Sequence, residues 1–101
     1  MPKRELRELV VDLRGRPIDT LDDFFDAITE PCGLPDWFVR NTYALADTLQ
    51  NGGIVETIDS YDLIVFHVDK RGIFAQNNIE ARELRRAFAG KQSRLIVHPM
   101  T

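Results

Sequence analysis

Apolar positions along the chain repeat every second residue in some stretches and every third or fourth in others, and the switches between the two periods mark out six elements. Leu9-Val10-Val11-Asp12-Leu13 is a short, β-branched run followed by the turn Gly15-Arg16-Pro17, which predicts a first strand. Thr20 then opens a helix: its hydroxyl can cap free amides, Asp23 sits three residues on, and Leu21, Phe24, Phe25 and Ile28 keep the i, i+3, i+4, i+7 spacing of one buried stripe. Pro31-Cys32-Gly33 ends it. Asn41 is an N-cap for a second helix running to about Gln50 and stopped by Gly52-Gly53. Its Leu45 and Leu49 face the core, and Tyr43, Ala46, Asp47 and Gln50 lie nearer the outside.

The run Leu63-Ile64-Val65-Phe66-His67-Val68 is apolar on both alternating faces except at His67, the pattern of a strand covered on each side, and it predicts the centre of the sheet. Asn77 or Asn78 caps a last helix, with Ala81, Leu84 and Phe88 as its stripe and Arg82, Arg85 and Arg86 as its wet side, ending at Gly90. Arg94-Leu95-Ile96-Val97-His98 is the final strand, closed by Pro99. The order β-α-α-β-α-β predicts an α/β fold, a small parallel sheet of three strands packed with helices. At 101 residues the chain has room for one domain, expected to span residues 1–101, and no repeat or linker divides it.

Composition adds little to that frame, since 44% hydrophobic and 29% charged residues are ordinary globular usage. The distribution of charge adds more. Residues 1–16 carry a net +2, residues 17–62 a net −9 and residues 63–101 a net +4. In the middle block ten carboxylates, Asp36 and Asp47 among them, are opposed by Arg40 alone. Such a block repels nucleic acid and attracts basic proteins, so it is expected to face a partner while the basic last helix does not. The five basic residues Arg82, Arg85, Arg86, Lys91 and Arg94 come with no reading motif, and a pI near 5.3 argues against a direct nucleic-acid role.

Candidates for catalysis are few. His67 and His98 lie in predicted strands with no Cys or His partner at metal-ligand spacing, and a structural or edge role is expected for them. Cys32 is the single cysteine, which excludes an intrachain disulfide and favours a reducing, cytoplasmic compartment. Gly52-Gly53 lacks the Lys-Ser/Thr pair of a phosphate loop. Asp22 and Asp26, one helical turn apart, are expected to be a solvated face. No enzyme activity, cofactor, metal or membrane span is expected.

The segment Leu34-Pro35-Asp36-Trp37-Phe38-Val39-Arg40-Asn41-Thr42-Tyr43-Ala44-Leu45-Ala46-Asp47 resembles the central signature of the barstar family, in which Leu-Pro, an acid and two aromatics lead to an Asn-capped helix. The order of elements is similar over nearly the whole chain. The resemblance implies a protein inhibitor that binds a basic ribonuclease of the barnase-like, secreted or toxin type one-to-one as a monomer, filling its cleft with the acidic helix and the loop before it. It implies partner-binding roles for Asp36, Trp37, Asn41, Tyr43, Ala46, Asp47, Gln50 and Asn51, with Asp47 at the central recognition position, Trp37 an aromatic anchor and Asn41 the cap. Two positions depart: Tyr43 stands where the family has another acid, and Ala46 where it has tryptophan. The alternative is a barstar-like interaction domain whose partner is not a ribonuclease.

Overall fold

The computed structural model describes residues 6–100. Three parallel strands, β1 (Glu8–Asp12), β2 (Leu63–Asp69) and β3 (Ser93–His98), lie in the order β1-β2-β3, so the apolar run at Leu63 is the sheet centre. Parallel neighbours need long crossovers. The first holds α1 (Leu21–Cys32), α2 (Thr42–Asn51) and the four-residue α3 (Glu56–Asp59), and the second a 3₁₀ turn (Gly72–Ala75) and α4 (Ile79–Arg86). Neither α3 nor the 3₁₀ turn is foreshadowed by periodicity, because each is barely one turn long.

Local chemistry explains the helix bounds. Thr20 Oγ1 accepts from the Asp23 amide at 3.1 Å while Asp23 Oδ2 accepts from the Thr20 amide at 3.2 Å, a reciprocal cap for α1. Pro31 lies inside the last turn and has no N–H to give Ala27, whose carbonyl instead accepts from Arg16 Nη1 at 3.4 Å. Gly33, at φ +63°, closes the helix in the left-handed conformation. A side chain there would also strike Thr57 of α3, with Thr57 Cβ only 2.8 Å from the Cβ position. Asn78, rather than Asn77, caps α4, its Oδ1 accepting from the Ala81 amide at 2.9 Å. This helix stops at Arg86, short of Gly90, because the following amides of Phe88 and Ala89 turn to carbonyls three residues back.

The core lies on one face of the sheet. Val11, Ile64, Phe66 and Val68 point into it, and Phe24 of α1, fully buried, sets its ring edge-on to Phe25, Phe74 and Phe88 at 5.7–6.2 Å between centroids. Cys32 is buried in the same cluster, and burial pushes its thiol up to about 12, so it supplies no thiolate at neutral pH.

The opposite face differs from the expectation of a central strand covered on both sides. Val10 and Ile96 there are 54% and 41% exposed, so among the described residues no element lies over them. Val65 is shielded mainly by its place in the middle strand, between Val10 of β1 and Arg94 of β3. An apolar strand centre thus reflects cover from lateral neighbours as well as from a second layer. Among the described residues no helix is long and apolar enough to cross a membrane.

Candidate protein-binding face

Helix α2 buries Thr42, Leu45, Thr48 and Leu49 and turns its other side outward. Asn41 starts it by accepting from the Ala44 amide through Oδ1 at 2.7 Å, so this side chain is committed to the cap. Tyr43 is 80% exposed, and Asp47 and Asn51 follow at four-residue intervals, which sets the three on one stripe. Asp47 Oδ1 accepts from Asn51 Nδ2 at 2.6 Å, which holds the exposed carboxylate in one orientation.

Ala46 and Gln50 border the stripe where α2 meets α4. Thr42 Oγ1 donates to Glu83 Oε2 at 3.2 Å, and Gln50 Nε2 donates to the Arg86 and Ala87 carbonyls at 3.4 and 3.3 Å, tying α2 to the end of α4. Between the two helices opens a cavity of about 280 Å³, lined among others by Tyr43, Ala46, Gln50, Glu83 and Arg86. The small side chain at Ala46 leaves this space. Helix α4 packs directly on α2, and Glu83 and Arg86 share the cavity. Periodicity placed Arg86 on the wet side of its helix, but the spacing alone did not pair that side with α2.

Asp36 and Trp37 are not in this cavity. Trp37, 67% exposed, stands over Pro35 and the segment Ile54–Thr57, and Asp36 borders a separate hollow with Thr29, Phe38 and Arg40. The candidate residues thus form a stripe on α2 and a shoulder on the loop before it. Arg40 fixes that loop to α1 by donating through Nη1 to Asp22 at 2.8 Å and Asp26 at 2.6 Å, so this acid pair is bridged rather than merely solvated.

Much of the acidic block has structural work. Asp23 caps α1, Asp59 accepts from the Gly53 amide at 2.9 Å and closes the turn after α2, and Asp62 accepts from the Arg7 amide at 2.9 Å. Asp47 and Asp36 remain on the outer surface. The two histidines make a contact that their spacing in the sequence did not predict. Although 31 positions apart, His67 Nδ1 and His98 Nε2 meet at 2.8 Å on the open face of the sheet, because the parallel register sets Asp69 beside His98 and so places His67 on the diagonal.

Fold and surface together define a small α/β domain built on a three-stranded parallel sheet, with an exposed helix that presents an acid, an aromatic ring and amides. A comparison with curated proteins found no significant match. A family model described as Barstar (barnase inhibitor) matches residues 8–90, and the chain belongs to the barstar family. That family is one of inhibitors, with a ribonuclease of the barnase type as the general partner.

Proposed function

We propose that the chain inhibits a barnase-type ribonuclease by direct, one-to-one occlusion of its active-site cleft, acting as a cytoplasmic monomer and single domain without catalysis of its own. The observation that carries this reading is the exposed stripe Tyr43, Asp47 and Asn51, in which Asn51 presents the Asp47 carboxylate outward. A cleft that binds RNA phosphate is lined with cationic side chains. An oriented carboxylate beside aromatic rings meets complementary potential there, and Arg can grip it through two parallel hydrogen bonds. Asp36 and Trp37 extend the contact along the preceding loop. Asn41 contributes by holding the helix start, and Gln50 by fixing α4 against α2.

The reading is tested by adding the purified chain to a barnase-type ribonuclease and following RNA cleavage. One equivalent should abolish turnover, and the association rate should fall as ionic strength rises from low to physiological, since steering by exposed carboxylates is screened over a Debye length of about 8 Å at 0.15 M. Full ribonuclease activity in excess chain would sink the proposal. The open space at Ala46, where the family carries tryptophan, favours a second reading in that event: the same face binding a protein other than a ribonuclease.

A further inference from the structure

We propose that His67 and His98 form a two-histidine site for a tetragonal divalent transition-metal ion, copper(II) or nickel(II), on the open face of the sheet, remote in sequence from the α2 face. The two imidazoles belong to adjacent parallel strands and are half-buried, on a face that no element among the described residues covers. Their ring centroids are 5.1 Å apart and His67 Nδ1 lies 2.8 Å from His98 Nε2. The centroid separation exceeds the nitrogen separation by little more than two ring radii. The two nitrogens therefore point at each other, one as N–H donor and the other as lone-pair acceptor.

An ion takes the place of that shared hydrogen. The N–H moves to the outer nitrogen of the same ring, freeing a second lone pair, and each ring turns by about 45° from the head-on arrangement to aim its lone pair at a shared ion. Two nitrogens at metal bonds of about 2.0–2.1 Å lie about 2.9 Å apart in neighbouring positions of a square or octahedral ion, and about 3.3 Å apart in a tetrahedral one. The 2.8 Å set by the hydrogen bond in the absence of an ion is nearer the first, so the two nitrogens need little change in spacing. Imidazole also suits copper and nickel, and copper stands highest in the affinity order of the first-row divalent ions. Among the described residues no third His, Cys, Asp or Glu completes a cluster, so water fills the remaining positions, as the open face allows.

The surroundings favour a cation. Asp12 of β1 is the cross-strand neighbour of His67, and Asp69 of β2 that of His98. Both carboxylates are fixed by main-chain amides, Asp12 by Arg14 at 3.1 Å and Asp69 by Gly15 at 2.7 Å. The Arg14 guanidinium, 2.7 Å from Asp12, holds that carboxyl well below the usual range and offsets part of the field of both Asp12 and Asp69.

Copper(II) titrated into the full-length chain at neutral pH should give one saturable species whose electron paramagnetic resonance spectrum shows coupling to two imidazole nitrogens. His67→Gln and His98→Gln should each weaken binding at least about tenfold, with the loss of one nitrogen from the spectrum, and zinc should bind more weakly than copper. Both side chains lie on the exposed face, so circular dichroism should show each variant folded. An unfolded His67→Gln leaves His98→Gln and the spectrum of the parent to decide. Copper binding that survives both substitutions, or a parent spectrum with a single imidazole nitrogen, would overturn the site and reduce the contact to a hydrogen bond between neutral rings. Ribonuclease binding is not read by this experiment, so the two proposals stand or fall separately.

Discussion

Asp47→Ala is expected to weaken binding to an inhibited ribonuclease by roughly 30-fold to several thousandfold, as measured by the dissociation constant of the complex. In the proposed complex this carboxylate would be desolvated against a cation, and truncating one member of a buried charge pair costs about 2–5 kcal/mol because the other charge is left alone, a range set in part by complexes of this same family. At about 1.4 kcal/mol per tenfold, that range gives the stated loss. In the free protein Asp47 is exposed and touches Asn51, so the melting temperature should scarcely move. Glu30→Ala, an exposed acid near the end of α1, should change affinity by less than about 0.5 kcal/mol. An Asp47 variant that bound a demonstrated ribonuclease as tightly as the parent would remove α2 from the contact.

Phe24→Ala should cost about 3–5 kcal/mol of folding stability, the largest effect expected from any single truncation in this core. Its ring is fully buried and meets four others, Phe25, Phe66, Phe74 and Phe88, so no one neighbour can move in without leaving a gap elsewhere. Domains of this size hold about 5–15 kcal/mol in all, and the melting temperature should fall by more than about 10 °C. Chemical denaturation that showed a loss below about 1.5 kcal/mol would mean that the cluster collapses around the cavity. Phe38, on the rim of the core and near Phe25 alone of these rings, should cost less when truncated.

Elements built on local rules were legible in the sequence. The Thr20–Asp23 cap, the Asn41 cap and the buried stripe through Phe24, Phe25 and Ile28 need only residues within one or two turns of each other, and each is found where the spacing puts it. The outward placement of Tyr43 and Asp47 followed from Leu45 and Leu49 facing in. Features set by long-range register were not legible. The His67–His98 contact and the cavity shared by Ala46 and Glu83 depend on which residues of distant segments come level, and the open sheet face was hidden because Val65 is apolar for a lateral reason. Arg40 lies 18 and 14 positions from the acids it bridges, beyond any helical period. The resemblance to the family pattern spoke to the fold and to one helix, while α4's share of that surface emerged only from packing.

The strand order also governs the sequence of events by which the chain assembles. β2 joins β3 by pairing Ile64 with Ser93, whereas β1 joins β2 by pairing Glu8 with Leu63, across nearly twice the length of chain. Closing the longer loop costs more chain entropy and is rewarded only after α1, α2 and α3 have found their places. The unit β2, α4, β3 is therefore the expected nucleus, and β1 the last strand to dock. Leu84→Ala, in the buried face of α4, should slow refolding, while Val11→Ala, in β1, should leave refolding nearly unchanged and speed unfolding instead. Stopped-flow measurements giving Val11 the higher φ-value would reverse that order, and the amino-terminal strand would then be the seed of the sheet rather than its closing edge.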